Sequence, residues 1–351
     1  MIELINLYKS LGDFHLKDIN LKIDTNEYFV ILGPTGTGKT VILETIAGLY
    51  NPDKGKILFN RKPINKVSPE DRNIGFVYQE YALFPHLNVK DNIIFGLKLR
   101  KIPQWIIDKK IKEVSELLSI DHLLNRYPGT LSGGEQQRVA IARILVIKPE
   151  VLLLDEPLSA LDPRTKENFI RELKKIHKKF NTTTIHITHD FNEALALADR
   201  IGVMKDGKIV QVGTPNEIFY KPENDFIASF IGIENIYKGE IKGENGIQEL
   251  KIGTVNLKAK TDLKGKVSTI IPPEEIILSK ENYRTSAQNS LKCSVNSIYT
   301  EGKLIKVEMK CKNLIIKALI TKYALKDLNI RVGDEIFAIF KTTSVKVYKT
   351  S

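Results

Sequence analysis

The sequence predicts an α/β unit over residues 1–235 and a small all-β unit over residues 236–351. The first prediction rests on a glycine-rich loop that joins an apolar run to a helical segment, and on further apolar runs that alternate with helical segments. The second rests on a change of pattern after residue 235, where short apolar runs follow one another without a helical period. A chain of 351 residues is long enough for two such domains.

The elements of the first unit follow from the spacing of apolar residues. Residues 1–30 alternate apolar and polar positions, which predicts antiparallel edge strands. Longer apolar runs predict buried parallel strands, and apolar residues at spacings of three and four predict helices. The predicted buried strands are 28–32, 151–154 and 183–187, the predicted helices are 39–49 and 103–124, and the predicted hairpin turns at Asp206-Gly207.

The sequence of the second unit predicts a small β-barrel of the OB-like kind. Its short β-like runs are separated by glycine or polar turns. Residues 265–271 resemble residues 333–340, and each segment is followed by a polar turn and another apolar run, which predicts a duplicated barrel. The clearest runs are 247–252, 267–271, 305–309, 314–320 and 336–340.

Composition narrows the class of protein. A net charge of +11 is compatible with binding to nucleic acid, with binding to an anionic membrane surface, or with a lysine-rich surface that only faces water. The lack of a polybasic block favours the last of these. Cys293 and Cys311 predict unpaired packing thiols in a reducing compartment. The sequence shows neither a secretion signal nor the apolar run of about 20 residues that a membrane helix needs, so we expect a chain that is soluble by itself.

The glycine-rich loop predicts a phosphate site, because successive backbone N–H groups and a helix N-terminus can converge on phosphate oxygens. The Lys39 amine is expected to reach the β- and γ-phosphates, and the Thr40 hydroxyl to bind Mg²⁺. The complete loop reads Gly33-Pro34-Thr35-Gly36-Thr37-Gly38-Lys39-Thr40.

Two acidic residues end the second buried strand. Asp155 is expected to hold Mg²⁺ through water, and Glu156 to polarise the attacking water as general base. The alternative is a solvated pair that only ends the strand. Gln79 and His189 also follow apolar runs, on the side where a doubly wound sheet binds ligands, although a lone histidine there is more often structural.

A second glycine motif starts a helix. Ser132 and Glu135 flank Gly133 and Gly134 in the spacing of a capping box, which is a purely structural reading. Two glycines exceed what a cap needs and weaken the helix, so the free N–H groups are expected to face an anion.

Taken in order, these motifs resemble the ATP-binding subunits of ABC transporters over residues 1 to 235, with a helical subdomain at about 80–148. The resemblance implies a P-loop ATPase with ATP and Mg²⁺ as cofactors, Glu156 as catalytic base and His189 on the γ-phosphate. It also implies that Gln79 binds Mg²⁺ and links the nucleotide to a membrane partner, whose coupling helix lies along residues 81–92. The matching elements are the loop 33–40, Gln79, the signature 131–138, Asp155-Glu156, the loop Ser159-Ala160-Leu161-Asp162 with Asp162 at the nucleotide, and His189.

The same resemblance implies assembly. Two chains are expected to associate head to tail, each nucleotide lying between the phosphate loop of one chain and the Ser132 helix start of the other. Two permease subunits and an external binding protein complete the implied transporter, on the cytoplasmic face of the membrane, with no role for nucleic acid. One position departs from the family pattern, since Leu11 stands where many members carry an aromatic residue that stacks on adenine, and Phe14 is close by.

The all-β unit resembles the regulatory domain of importer ATPases, and residues 286–292 resemble the motif of molybdate- and tungstate-binding domains. Gln288 replaces the arginine of that motif, and Cys293 replaces its glycine. The resemblance implies import of molybdate or tungstate and inhibition by the oxyanion bound to this unit. Sulfate, sugar, polyamine and ferric ion remain alternative cargoes, and a DNA-associated or translation-associated ATPase of the same superfamily is a remote alternative. The implied oxyanion ligands are Ser286, Gln288, Asn289 and Lys292.

Overall fold

A computed structural model describes residues 1–243 and 246–349, and the chain divides into two compact units between Pro215 and Asn216. The boundary that the sequence predicts at residue 235 stays a prediction. Among the described residues, no helix combines the length and the apolar character that crossing a membrane requires.

The first unit is an α/β fold. Its elements are β1 (Ile2–Leu11), β2 (Phe14–Ile23), β3 (Tyr28–Leu32), α1 (Lys39–Ala47), β4 (Lys54–Phe59), β5 (Lys62–Pro63), β6 (Ile74–Val77), α2 (Val89–Leu99), α3 (Gln104–Leu117), α4 (Gly133–Leu145), β7 (Val151–Asp155), α5 (Pro163–Phe180), β8 (Thr183–Thr188), α6 (Phe191–Leu197), β9 (Arg200–Lys205) and β10 (Lys208–Gly213).

Two sheets form the body of this unit. A six-stranded sheet has the order β10-β9-β3-β8-β7-β6 and is parallel except for the pair β9–β10, and a four-stranded antiparallel sheet has the order β2-β1-β4-β5. One core cluster contains side chains from both sheets and from α1. Strands β3, β7 and β8 are buried along their whole length, as their uninterrupted apolar or threonine-rich sequences predict. Their carboxyl ends meet at one edge, which positions the residues that follow them.

The predicted helix over 103–124 is shorter in the structure. Helix α3 buries Ile107, Ile111 and Val114 on one face, as their spacing predicts. It ends at Leu117 because Ser119 adopts a left-handed backbone with φ 53°, which terminates the regular helix. A short 3-10 helix at Asp121–Leu123 follows. The hairpin prediction is confirmed, since Asp206 and Gly207 join β9 to β10 with φ of 46° and 77°.

The second unit is almost entirely antiparallel β-structure, as predicted. Its elements are α7 (Pro215–Tyr220), α8 (Asp225–Phe230), β11 (Ile236–Lys242), β12 (Gly246–Ile252), β13 (Val255–Thr261), β14 (Gly265–Ile270), β15 (Ile277–Ser279), β16 (Asn289–Glu301), β17 (Leu304–Cys311), β18 (Leu314–Thr321), α9 (Lys322–Asp327), β19 (Glu335–Phe340) and β20 (Lys346–Lys349).

Two five-stranded sheets share one apolar core in this unit. Their orders are β13-β12-β11-β14-β20 and β15-β19-β16-β17-β18. The two segments that resemble each other in sequence have the same succession of strand, 3-10 helix and strand: β14 leads to β15, and β19 leads to β20. Each segment donates its second strand to the sheet of the other, because β15 pairs with β19 and β20 pairs with β14. The duplication itself stays a prediction.

The prediction of unpaired thiols was wrong. Cys293 on β16 and Cys311 on β17 form a disulfide in the structure. The reason is the strand register: Ser294 lies opposite Lys310, so the two cysteines face each other, with their Cα atoms 4.2 Å apart. Both side chains are buried in the core, as expected.

Candidate active site

The phosphate loop connects β3 to α1 at the edge where the parallel strands end. Gly36 and Gly38 have φ of 80° and 94°, a backbone that other residues rarely adopt. Gly33 is required by close approach, because a Cβ there would lie 2.5 Å from the carbonyl oxygen of Met204. The loop therefore brings backbone N–H groups and the positive end of α1 to one place, which suits a phosphate group.

Lys39 is held inside this loop. Its Nζ donates hydrogen bonds to the carbonyl oxygens of Gly33 and Pro34, each at 2.8 Å, and lies 3.9 Å from Oε1 of Glu156. The residue is buried, and this burial lowers the pKa of the amine despite the nearby carboxylates of Glu156 and Asp155. A positive charge in such a poorly solvated position acts strongly on an anion that reaches it.

Thr40 and Asp155 provide oxygen atoms beside the loop. The Thr40 hydroxyl donates to Oδ1 of Asp155 at 3.2 Å, and burial raises the pKa of Asp155 although this hydrogen bond opposes the shift. A hydroxyl and a desolvated carboxylate fit Mg²⁺, which typically takes one or two protein oxygens and completes its shell with phosphate and water. The described residues contain no group of three or more His, Cys, Asp or Glu side chains arranged for a metal.

Glu156 and His189 form a second pair. The His189 Nδ1 lies 3.1 Å from Oε2 of Glu156, with a half-exposed imidazole and a carboxylate that is only 15% exposed. Glu156 has a left-handed backbone with φ 42°, and its N–H donates to the carbonyl of Ile187 on β8. This strained backbone turns the carboxylate out of β7 and toward Lys39 and His189, as active-site residues often require.

Gln79 lies exposed in the turn after β6, and the structure does not bring its side chain into hydrogen-bonding contact with Thr40 or Asp155. The segment that follows is fixed by two residues that the sequence analysis missed. The buried amide of Asn92 bonds to Phe84 in both directions, and the Arg143 guanidinium donates to the carbonyls of Tyr81 and Ala82. The sequence feature that could have indicated this role is Asn92 itself, a polar residue next to the buried apolar residues of helix α2.

The start of α4 contains the complete capping box that the sequence predicts. The Ser132 hydroxyl accepts from the Glu135 N–H, and the Glu135 carboxylate accepts from the Ser132 N–H and hydroxyl. Packing explains neither glycine, because a Cβ at Gly133 would meet nothing and one at Gly134 would make only ordinary contacts at 3.6 Å. The absence of an internal reason for these glycines favours close approach by an external group.

Two further contacts connect this helix and its neighbours to the site. Gln137, which the sequence analysis did not single out, is fully buried and donates to the carbonyl of Pro157, the residue after Glu156. Asp162 caps α5, accepting from the N–H groups of Arg164 and Thr165. The Asp162 carboxylate thus already has a structural role in the chain.

Of the two residues considered for stacking, Phe14 lies against the phosphate loop. A Cβ at Gly38 would overlap the Phe14 ring, whereas Leu11 pairs with Phe14 across the β1–β2 turn. The aromatic residue is thus displaced from the position where the family pattern places it.

The residues of the 286–292 motif do not converge on one point. The Asn289 amide is buried and bonds to both the N–H and the carbonyl of Lys258, at 2.7 and 2.8 Å. Lys292 is exposed and pairs with Glu335 at 2.8 Å. Ser286 lines a concavity of about 620 Å³ beside β15, and Gln288 is exposed. An oxyanion site formed by these four residues stays a prediction.

This arrangement of loop, strand ends and separate glycine helix defines the class of protein: a P-loop ATPase subunit of the ABC type. The ABC transporter family matches residues 16–159, and the TOBE domain matches residues 285–347. The chain belongs to the family of ABC import ATP-binding proteins, which confirms the resemblance seen in its motifs.

Three relatives illustrate the likeness. The molybdate/tungstate import ATP-binding protein of Pyrococcus horikoshii is 47% identical over 99% of this chain and 100% of its own length. The Fe(3+) ions import ATP-binding protein of Fusobacterium nucleatum is 40% identical over 95% of this chain and 93% of its own length. A dimeric ATP-binding cassette solved in a post-hydrolysis state with ADP and phosphate has a TM-score of 0.56 and 32% identity, and covers 61% of this chain and 99% of that one.

Proposed function

We propose that this chain is the ATP-hydrolysing subunit that powers import of molybdate or tungstate through a membrane ABC transporter. One observation carries the proposal. The groups for phosphate binding and water activation meet at the ends of β3, β7 and β8. The chain is also similar over nearly its whole length to the molybdate/tungstate import ATP-binding protein of Pyrococcus horikoshii. The same ATPase role for another cargo is the second candidate, which the iron(III) relative supports at lower identity.

The chain's own residues divide the work of hydrolysis. The phosphate loop and Lys39 bind and orient the β- and γ-phosphates of ATP. Thr40 and Asp155 would hold Mg²⁺ together with Gln79, and the bound ion would neutralise charge on the phosphoryl oxygens. Glu156 accepts the proton of the attacking water, and His189 orients this carboxylate and reaches the γ-phosphate.

A second copy completes each site. The glycines at the start of α4 have no packing role within the chain, so their N–H groups can face a phosphate held by the partner. Ser132, Gly133 and Gly134 then act on ATP bound in the other loop, and Asp162 lies at the same interface. The dimeric cassette relative supports such a homodimer.

Transport requires partners outside this chain. We place two permease subunits against the segment after Gln79, which Asn92 and Arg143 hold in a defined shape. An external binding protein delivers the oxyanion to these subunits, so the chain works at the cytoplasmic face of the membrane as a peripheral protein. Accumulated oxyanion bound near residues 286–292 would inhibit ATP hydrolysis, a coupling between distinct sites.

The first test replaces the general base. The variant Glu156→Gln should still bind ATP but hydrolyse it about 10²- to 10⁴-fold more slowly, and light scattering should detect an ATP-dependent dimer. The control Glu150→Gln changes an exposed carboxylate just before the same strand and should hydrolyse ATP normally. Rapid hydrolysis by Glu156→Gln would place the base elsewhere.

The cargo is tested in cells that lack this chain. They should lose uptake of labelled molybdate and tungstate while uptake of sulfate and iron(III) continues. The unaltered chain should restore uptake, and Glu156→Gln should not. Loss of iron(III) uptake alone would favour the second candidate.

A further inference from the structure

We infer that Lys166 is a positioning residue that sets the placement of His189 by tying helix α5 to helix α6. The inference rests on the proposed function, because His189 acts there beside Glu156. Under that proposal, the loop at the start of α5 faces the second copy. Lys166 would connect this loop to the Glu156–His189 pair of its own chain.

Lys166 holds the backbone on which His189 stands. Its Nζ lies 2.6 Å from Oδ2 of Asp190 and 2.5 Å from Oε1 of Glu193, both on the segment that starts α6. Asp190 directly follows His189, and its other oxygen accepts from the N–H groups of Asn192 and Glu193. The Asp190 N–H also donates to the Thr188 hydroxyl. His189 is therefore fixed from both sides, and Lys166 supplies the contact that comes from another helix.

The other end of this connection is the loop before α5. Asp162 caps that helix, and its carbonyl accepts from the N–H of Lys166 at 2.9 Å, one turn further along. A displacement of the Asp162 loop would therefore carry Lys166 with it. Because Lys166 bonds to Asp190, the same displacement would act on His189.

A buried chain of polar groups anchors the far side. The Glu193 Oε2 lies 3.4 Å from Nε2 of His186 on β8, and the His186 Nδ1 lies 2.9 Å from the Tyr28 hydroxyl on β3. Glu193, His186 and Tyr28 are all buried. Buried polar groups that lie this close together resist displacement, because electrostatic interactions between them are strong in a poorly solvated interior. Lys166 therefore connects the Asp190 carboxylate beside His189 to a buried support at Glu193.

The test uses the full chain with three variants and one control. Lys166→Met removes the cation, Lys166→Arg keeps it, and Asp190→Asn keeps an oxygen to cap α6 but loses the charge that Lys166 binds. The control is Arg171→Met on the same helix, where the exposed residue pairs with exposed Glu167 at 4.0 Å. Single-turnover hydrolysis, ATP affinity and melting temperature are measured for each protein.

Lys166→Met and Asp190→Asn should each reduce the hydrolysis rate about 10- to 100-fold, as small misplacements of catalytic groups do. The double variant should be no slower than Lys166→Met alone, because Lys166→Met already removes the contact with Asp190. ATP affinity should change by less than about twofold, Lys166→Arg should recover most of the rate, and Arg171→Met should match the unaltered chain.

Two results would overturn the inference. One is a hydrolysis rate of Asp190→Asn and Lys166→Met within about twofold of the unaltered chain. The other is a loss of rate that accompanies an equal loss of ATP affinity, or that Lys166→Arg does not relieve. If the unaltered chain itself fails to hydrolyse ATP, the proposed function fails and this inference fails with it.

Discussion

The two units differ in how they employ the polar residues of their sequence motifs. In the ATPase unit, Lys39, Asp155 and Glu156 lie together in poorly solvated positions. Two of their contacts are long: Lys39 lies 3.9 Å from Glu156, and the Thr40 hydroxyl lies 3.2 Å from Asp155. These side chains therefore keep capacity for further partners. In the barrel, the oxygen and the nitrogen of the buried Asn289 amide each bond to the backbone of a neighbouring strand, and Lys292 is paired with Glu335.

This difference concerns how much charge and hydrogen-bonding capacity each motif keeps for a ligand. A side chain is available to a ligand when the fold leaves part of its charge or hydrogen-bonding capacity unmatched. By that criterion the phosphate loop and the Glu156–His189 pair are available, whereas Asn289 is available only if strand β13 moves.

The largest effect is expected at Glu193, behind the Glu156–His189 pair. There the ATPase unit resembles the barrel, because a buried polar side chain has close polar partners within the chain. Burial alone would raise the pKa of Glu193, but hydrogen bonds from His186, Lys166 and Thr188 outweigh it and lower the pKa to about 2. Glu193→Gln should therefore destabilise the unit by about 3 to 5 kcal/mol at neutral pH, because it breaks a buried ion pair.

The sign of the pH dependence follows from the lowered pKa. The ordinary pKa of 4.5 lies above the folded-state value of about 2, so the stabilisation by Glu193 is complete above about pH 4.5 and is lost as the pH falls toward 2. The melting difference between the unaltered chain and Glu193→Gln should shrink over that range. A difference that stays constant from neutral pH to about pH 2 would mean that the carboxylate charge does not provide the stability.

The sequence was sufficient for elements whose cause is local. The strand Tyr28–Leu32 and the turn at Asp206-Gly207 each follow from a few adjacent residues. The capping box at Ser132 is equally local, since both partners lie within four positions.

What the sequence could not show depends on contacts between distant elements. The Cys293–Cys311 disulfide follows from strand register, and the contacts of Gln137 and Lys166 follow from helix packing. The disulfide joins residues 18 positions apart and the Gln137 contact joins residues 20 positions apart, so neither follows from a few adjacent residues. For the same reason, the motif at 286–292 predicted a ligand site without revealing that Asn289 is already bonded to Lys258.

An intermediate effect is expected for Asn289→Ala. The substitution leaves the N–H and the carbonyl of Lys258 without their partner and should destabilise the barrel by about 2 to 3 kcal/mol. Hydrogen exchange measures this directly, as faster exchange at the Lys258 amide and its neighbours on β13. Ser290→Ala is a suitable control, because the exposed Ser290 hydroxyl bonds to the Asn282 side chain rather than to the backbone of β13.

Titration of the full chain with tungstate, molybdate and sulfate then sharpens the comparison between the units. If Asn289 has only the structural role, oxyanion binding should be weak in the unaltered chain, and added tungstate should leave exchange at Lys258 unchanged. Tight tungstate binding with altered exchange at Lys258 would show that the barrel motif retains its chemistry.

The smallest effect on stability concerns Gly133, and its sign distinguishes a structural role from a functional one. A Cβ at this position meets no atom of the chain, and alanine is a better helix former than glycine. Gly133→Ala should therefore stabilise the ATPase unit slightly, by about 0.5 kcal/mol. Hydrolysis should nevertheless fall, because the added methyl group would stand between the N–H groups of α4 and the phosphate held by the second copy.

Gly129→Ala is the matched control: it also places a methyl group in open space just before the same helix, and it should leave hydrolysis unchanged. A more stable Gly133→Ala protein that hydrolyses ATP at the normal rate would remove the reason for assigning the start of α4 to the second nucleotide. The fold would then contain a glycine pair that neither packing nor ligand binding requires.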